Sequence, residues 1–147
     1  MRRALCVALV SLVCLNPVCF NPALADVRIE GSTGGVVSNF LELFQVLRRS
    51  GQRVVIDGPC YSACTLVLST IPRDRICVTR RAVLGFHAPK LVDGYGQEYP
   101  APEATTRVVT AAYPAAIRNW ISRHGGLTDR PIFLRGRELA ALYRRCR

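Results

Sequence analysis

The chain has 147 residues, which leaves room for a single domain. Half of the residues are apolar and a fifth are charged, which excludes a wholly disordered chain, and the 11 Gly and 9 Pro follow no repeat period, which excludes collagen-like and solenoid architectures. The formal net charge is +10, and all basic residues except Lys90 are Arg, so partners with carboxylate or phosphate groups are favoured.

Residues 1–25 have the pattern of a secretory signal peptide. A short basic start precedes an apolar run over residues 4–15, and Ala23 and Ala25 place small side chains at positions −3 and −1 of a cleavage site after Ala25. The apolar run falls short of the roughly 20 residues that span a bilayer, although an uncleaved anchor is the alternative. We therefore predict a chain exported to the periplasm or secreted, with residues 26–147 as one domain.

Strands and helices alternate along the predicted mature chain. The predicted elements are, in order, a strand over 27–30, a helix over 36–49, a strand over 54–56, a helix over 62–70, strands over 76–78 and 82–86, a loop over 94–102, a helix over 103–124 and a helix over 137–144. Gly51 ends the first helix, and Pro114 is expected to kink the long one. This alternation predicts an α/β fold with a mostly parallel sheet, repeated strand–helix units and right-handed crossovers.

Four cysteines remain after the predicted cleavage, and an even number in an exported chain predicts two disulfides. We favour a Cys60–Cys77 bond, because Cys60 ends one predicted strand and Cys77 lies in the next strand along the chain. The other two cysteines are Cys64 and Cys146. No CxxC pair or His cluster accompanies them, so we predict no metal site and no cofactor.

Ser62 lies where a predicted strand turns into a helix. A hydroxyl at this place meets the positive end of the helix and its free backbone N–H groups, which can hold a developing oxyanion. The alternative is that Ser62 simply caps the helix. A third interpretation is a thiol-based function of Cys60 or Cys64, which flank Ser62; the predicted disulfides argue against it.

Two further segments carry residues suited to chemistry. His87 follows the apolar strand 82–86, where a structural role is the alternative. Gly34 and Gly35 precede the first helix, and a glycine there leaves its N–H open to a ligand because no Cβ blocks the approach. An ordinary turn is the alternative for this pair.

Together, these three segments resemble the ClpP-like serine peptidases of the Clp-protease/crotonase superfold. That family carries a Gly-rich turn, then a strand leading into Gly-x-x-x-Ser at a helix start, and then a strand that ends in a His-containing segment. Here Gly35 lies 27 residues before Ser62, and His87 lies 25 residues after it. The resemblance covers residues 29–89, and it is weaker over 103–143, where the family has a long handle helix.

The resemblance implies a role for each matching position. Ser62 would be the nucleophile and His87 the general base, with the amides of Gly35 and Ala63 forming the oxyanion hole. The family's acid lies after the handle helix, where Asp129 is the first acid available, although an N-cap or surface role is equally open to it.

Two positions depart from the family pattern. An ungapped match would put Leu127 at the place of the acid, which leaves the third member of the triad open. Tyr61 stands where the family has a small residue, and its ring is expected to narrow the site.

The function that follows is an exported serine peptidase acting on a peptide or protein without metal or ATP. The alternative is an inactive ClpP-like fold that serves as a binding or scaffold protein in the cell envelope. The handle-like helix suggests self-association, and export argues against nucleic acid as a partner. Six arginines crowd the last 18 residues, which is typical of a solvated face but also suits an acidic partner or an anionic membrane surface. They are Arg130, Arg135, Arg137, Arg144, Arg145 and Arg147.

Overall fold

The computed structural model describes residues 25–147, so the predicted signal peptide lies outside the described residues except for Ala25. The strands are β1 (Val27–Ile29), β2 (Val54–Ile56), β3 (Pro59–Tyr61), β4 (Ile76–Val78), β5 (Val83–Phe86), β6 (Lys90–Val92), β7 (Glu98–Pro100) and β8 (Ile132–Arg135). The helices are α1 (Val37–Ser50), α2 (Val67–Thr70), α3 (Glu103–Ala112), α4 (Ala115–Arg123) and α5 (Gly136–Leu142). Two 3₁₀ turns lie at Ser62–Leu66 and Arg73–Arg75.

The strands form two three-stranded sheets and a separate hairpin. The first sheet has the order β1-β2-β4 and is parallel throughout. The second has the order β3-β5-β8, with β3 parallel and β8 antiparallel to β5, and β6 and β7 form an antiparallel hairpin. The predicted α/β class is confirmed. The predicted mostly parallel sheet is only partly right, because β8 runs antiparallel to β5 and the short connection between β6 and β7 permits only antiparallel pairing.

Several element boundaries differ from the predicted ones. The predicted loop over 94–102 contains β7, and the predicted helix over 103–124 is two helices, because Tyr113 is extended and Pro114 starts the second. The predicted helix over 62–70 begins as a 3₁₀ turn before α2. Strands β3 and β8 were not predicted. Strand β3 begins at Pro59, directly after Gly58, and this Gly-Pro pair indicates a turn rather than a strand.

Helix α1 matches its prediction closely, ending at Gly51 in the left-handed conformation. Its last carbonyls, on Leu47 and Arg48, accept hydrogen bonds from the guanidinium of Arg75, which satisfies groups that have no partner within the helix. Phe44 and Leu47 are its buried residues. No helix within residues 25–147 is both long and apolar enough to cross a membrane.

Both predicted disulfides form, but the predicted pairing is wrong. Cys60 bonds to Cys64, and Cys77 bonds to Cys146. Cys60 lies in β3 of the second sheet, whereas Cys77 lies in β4 of the first, opposite Val55. The chain end instead runs beside β4, where the Cys146 N–H donates to the Val78 carbonyl at 3.1 Å, and this brings Cys146 to Cys77.

The carboxylate of Asp57, just after β2, joins β1 to the turn after β4. It accepts a 2.6 Å hydrogen bond from the Thr79 hydroxyl, a 2.6 Å bond from Arg28 and a 2.9 Å bond from Arg81. These bonds, that of Thr79 foremost, lower the pKa of Asp57 from 3.8 to about 2. The charged form of Asp57 is therefore favoured by folding.

We expect Asp57 to make the protein less stable in acid. A carboxyl whose pKa is lower in the folded state stabilises the fold above its unfolded pKa of 3.8, and this contribution is lost as the pH falls towards about 2. The melting temperature should therefore fall less steeply from pH 4 to pH 2 in Asp57→Asn than in the wild type. Asp74→Asn, on the exposed 3₁₀ turn, is the control and should follow the wild-type curve; equal slopes for all three proteins would contradict the expectation.

Candidate active site

Ser62 directly follows β3 and has a left-handed backbone. Its φ angle is 55°, and no other non-glycine residue of the described chain has a positive φ. A left-handed conformation is unfavourable for an L-residue and persists only where the surrounding structure enforces it. A serine on a strained strand-to-helix turn is the geometry that presents a nucleophile in serine hydrolases of another fold.

The Gly-rich turn before α1 packs against Ser62. Ser32 pairs with the β3 segment, since its N–H donates to the Pro59 carbonyl at 2.8 Å and its carbonyl accepts from the Tyr61 N–H at 2.9 Å. This pairing brings Gly34 so close that a Cβ added to it would lie 2.5 Å from the Ser62 Cβ. Only glycine fits at position 34, whose φ is also positive at 93°.

Two backbone N–H groups near this turn have no partner outside their own turn among residues 25–147. The Gly34 N–H is occupied, because it donates to the Ser32 hydroxyl at 3.2 Å. Within the described residues the Gly35 N–H makes no hydrogen bond, and the Ala63 N–H, in the first turn of the 3₁₀ segment, has no partner outside that segment. These are the two N–H groups that the resemblance assigns to the oxyanion hole.

His87 follows the strand that lies beside the strand of Ser62. Strands β3 and β5 are parallel, with Tyr61 opposite Gly85, so Ser62 and His87 leave adjacent strands at the same edge of the sheet. The His87 Nδ1 lies 2.7 Å from the Ala88 carbonyl oxygen, which can only accept a hydrogen bond. A neutral ring in this position would carry its proton on Nδ1 and keep on Nε2 the lone pair that a general base needs. Within the described residues the ring makes no hydrogen bond to the Ser62 hydroxyl.

Asp129 lies on the surface near the segment that follows His87. Its neighbour Thr128 accepts a 2.8 Å hydrogen bond from the Ala88 N–H, and the Asp129 side chain makes no hydrogen bond to His87 in the part of the chain that the structure describes. The pKa of Lys90 is raised chiefly by its hydrogen bond to Glu98, with a smaller contribution from the charge of Asp129.

Glu98 is a second acid near His87, and sequence reasoning missed it. Its carboxylate accepts a 2.6 Å hydrogen bond from the Lys90 ammonium. That bond lowers the pKa of Glu98, and the charge of His87 lowers it further. The position of Glu98 was not predicted because residues 94–102 were expected to be a loop. In the structure the β6–β7 hairpin folds Glu98 back towards Lys90.

The Tyr61 side chain packs against residues of the neighbouring strands β5 and β8. Its ring meets that of Phe133 edge to face at 5.6 Å, and a Cβ added to Gly85 would lie 2.6 Å from it. Gly85 thus makes room for the bulky ring that departs from the family pattern.

A groove of about 680 Å³ lies beside α3, and neither Ser62 nor His87 lines it. Its lining includes the charged residues Glu103, Arg107 and Arg118. Within residues 25–147, no three His, Cys, Asp or Glu side chains lie close enough together to hold a metal ion.

Comparison with known proteins gives structural neighbours but no sequence relatives. No protein-family model and no curated protein sequence matches the chain. Among solved structures it is similar to a peptidase from Plasmodium falciparum, at 12% identity and a TM-score of 0.48 over 78% of this chain and 70% of that chain. It is also similar to a mutant of ClpP1 from Listeria monocytogenes, at 13% identity and a TM-score of 0.39 over 80% of this chain and 86% of that one. The case for any chemistry rests on the site residues themselves.

Proposed function

We propose that the protein is an exported ClpP-like serine hydrolase, an ATP-independent peptidase, with Ser62 as nucleophile and His87 as general base. The observation that carries this proposal is the left-handed backbone of Ser62 on a strand-to-helix turn, beside the strand that ends at His87. Gly34 supports it, because a glycine is needed for the turn to approach Ser62 so closely. The two disulfides support export, since such bonds persist in oxidising compartments.

The proposed chemistry uses His87 with its proton on Nδ1, the tautomer that can donate to the Ala88 carbonyl. The Nε2 atom of His87 accepts the proton of the Ser62 hydroxyl as its oxygen attacks a peptide carbonyl, and the N–H groups of Gly35 and Ala63 stabilise the oxyanion. The imidazolium then gives its proton to the leaving amine, and water cleaves the acyl-enzyme by the reverse sequence. The Ala88 carbonyl orients the ring through Nδ1. Asp129, or Glu98 in its place, is the acid proposed to stabilise the imidazolium.

The expected partners follow from the same proposal. The substrate is a peptide or a protein segment, and no cofactor is involved. We also propose that the protein self-associates through the α3–α4 region. The C-terminal arginines are proposed to contact an acidic partner or an anionic membrane surface. Of those arginines, Arg145 is engaged in the fold, because it donates to the Thr79 and Gly136 carbonyls.

We expect a fluorophosphonate probe to label mature wild-type protein on Ser62 and to leave Ser62→Ala unlabelled, because the hydroxyl is the attacking group. His87→Ala should lower the labelling rate almost as far, since nucleophile and base act as one unit. Ser38→Ala, on the exposed face of α1, is the matched control and should be labelled like the wild type. Mass spectrometry of the labelled peptide locates the site.

The capping alternative for Ser62 is wrong, because the 3₁₀ turn begins at Ser62, its N-cap is Tyr61, and no side chain of the described residues caps it. One result for Ser62→Ala would contradict the proposal. If Ser62 is not the nucleophile, Ser62→Ala leaves the activity unchanged. A hydrolase whose rate survives Ser62→Ala has another nucleophile.

The second candidate function is a binding or scaffold protein without turnover. The groove beside α3 favours it, because that groove offers charged and apolar lining residues without the serine. Absence of Ser62 labelling in a folded protein would favour this candidate.

A further inference from the structure

We infer that Tyr113 and Thr65 are positioning residues that hold Ser62 in its left-handed conformation through a buried chain of hydrogen bonds. We call this chain the Tyr113–Thr65 relay. The inference rests on the proposed function for its effect on catalysis, but the contacts that define the relay are independent of it.

The direction of the relay follows from hydrogen-bond chemistry. The Thr65 hydroxyl lies 2.6 Å from the Ser62 carbonyl oxygen and 2.6 Å from the Tyr113 hydroxyl. A carbonyl can only accept, so Thr65 donates its single proton to Ser62. The Tyr113 hydroxyl must then donate to Thr65, which makes one continuous chain from Tyr113 to the backbone of Ser62.

Burial makes the relay hard to replace. Thr65 is 0% exposed and Tyr113 is 4% exposed, so water has little access to the broken bonds. A buried polar group that loses its partner bears its full desolvation penalty. Burial also raises the pKa of Tyr113 to about 12, so the phenol stays protonated and able to donate throughout the neutral range.

Tyr113 also contacts the other half of the site. Its ring meets that of Phe86 edge to face at 5.4 Å, and Phe86 is the residue before His87. The Tyr113 backbone is held in turn, because Arg118 donates to its carbonyl at 2.6 Å. One side chain at the break between α3 and α4 therefore touches both the turn of Ser62 and the strand that leads to His87.

The relay explains how a strained serine persists. A left-handed non-glycine residue needs surroundings that over-determine its backbone, and the Ser62 carbonyl is anchored from an element 51 residues away in the chain. Loss of the anchor should let Ser62 relax towards an ordinary conformation and carry its hydroxyl away from the base.

The test compares four substitutions. Tyr113→Phe removes only the hydroxyl and keeps the ring on Phe86, Thr65→Val removes the hydroxyl at constant shape, and Thr65→Ser restores it. Tyr143→Phe is the matched control, because Tyr143 is also buried, at 3% exposure, and its hydroxyl makes no hydrogen bond to the described residues. For each protein the fluorophosphonate maximal rate kinact, the half-saturating concentration KI and the amide hydrogen exchange of residues 60–66 are measured.

We expect Tyr113→Phe and Thr65→Val to lower kinact by about 10- to 100-fold at an unchanged KI, since small displacements of a reacting group cost rates of this order. Thr65→Ser should restore kinact, and Tyr143→Phe should match the wild type. Unchanged kinact in Tyr113→Phe, or a Thr65→Ser rate as low as that of Thr65→Val, overturns the relay. A merely structural role would lower the melting temperature of Tyr113→Phe and Thr65→Val but leave kinact of the folded proteins unchanged.

Hydrogen exchange separates this inference from the proposed function. If wild-type Ser62 is not labelled, the proposed function fails, and exchange alone decides the relay. Faster exchange over residues 60–66 in Tyr113→Phe and Thr65→Val, but not in Tyr143→Phe, supports it. Exchange that is equal in all four variants overturns it.

Discussion

Gly34→Ala is expected to abolish labelling of Ser62 and to lower the free energy of unfolding by about 3 kcal/mol. The added methyl group would lie 2.5 Å from the Ser62 Cβ and 2.8 Å from the Tyr61 carbonyl oxygen, and neither atom is the end of a flexible side chain. The φ of 93° at Gly34 is also unfavourable for alanine. Both effects push the Gly-rich turn away from the serine that it supports.

Gly31→Ala is the matched control for this substitution. Gly31 lies three residues earlier in the same segment, it is exposed, and a Cβ added there meets nothing within 4 Å. We expect its stability to stay within about 0.5 kcal/mol of the wild type and its labelling to be unchanged. Thermal melts and Ser62 labelling rates are measured for both variants and for the wild type. Normal labelling of a folded Gly34→Ala protein would show that the close approach of Gly34 is not needed by the site.

The two disulfides are expected to have opposite consequences for stability and for the site. The Cys77–Cys146 bond joins residues 69 apart, and the loop-entropy model assigns about 4 kcal/mol to a loop of this size. The Cys60–Cys64 bond joins residues 4 apart, for which the same model gives about 2 kcal/mol. The double variant Cys77→Ala/Cys146→Ala should therefore unfold at lower denaturant than Cys60→Ala/Cys64→Ala.

The labelling rate of Ser62 should rank the two double variants in the opposite order. Cys60 and Cys64 flank Ser62 and are 0% and 1% exposed, so their bond closes the chain around the strained residue. We expect Cys60→Ala/Cys64→Ala to lower the labelling rate of Ser62 at least about 10-fold while still folded. The other double variant should keep the wild-type rate at temperatures well below its melting point. Equal labelling of both would show that the short bond does not position Ser62.

Features encoded within a few residues were predictable from the sequence. The helical spacing of apolar residues and the terminating Gly51 placed α1 within one residue of its observed bounds. The parity of the cysteines predicted two disulfides, and strand-end positions singled out Ser62 and His87. Each of these depends on local periodicity, turn chemistry or residue number, which are visible without knowledge of the fold.

Contacts between residues far apart in the sequence were not predictable in the same way. A Cys60–Cys77 disulfide was predicted because the two residues lie in successive predicted strands. Cys60 in fact lies in β3, a strand that was not predicted and that belongs to a different sheet from the β4 strand of Cys77. The proximity of Glu98 to His87 likewise depends on a hairpin whose two strands have three residues each. The sequence of a short strand does not encode which strand it pairs with, so the pairing is decided by the rest of the fold.

Composition, spacing and turn residues were enough to predict the class of fold and the number of disulfides, and they made Ser62 and His87 candidates. The pairing of the cysteines, the left-handed backbone of Ser62 and the contact of Tyr113 with Thr65 across 48 residues of sequence became visible in the folded domain alone. The physical reason is that a local pattern sets the conformation of a segment. Contacts between distant segments are chosen by the packing of the whole domain, in which most buried polar groups find a partner.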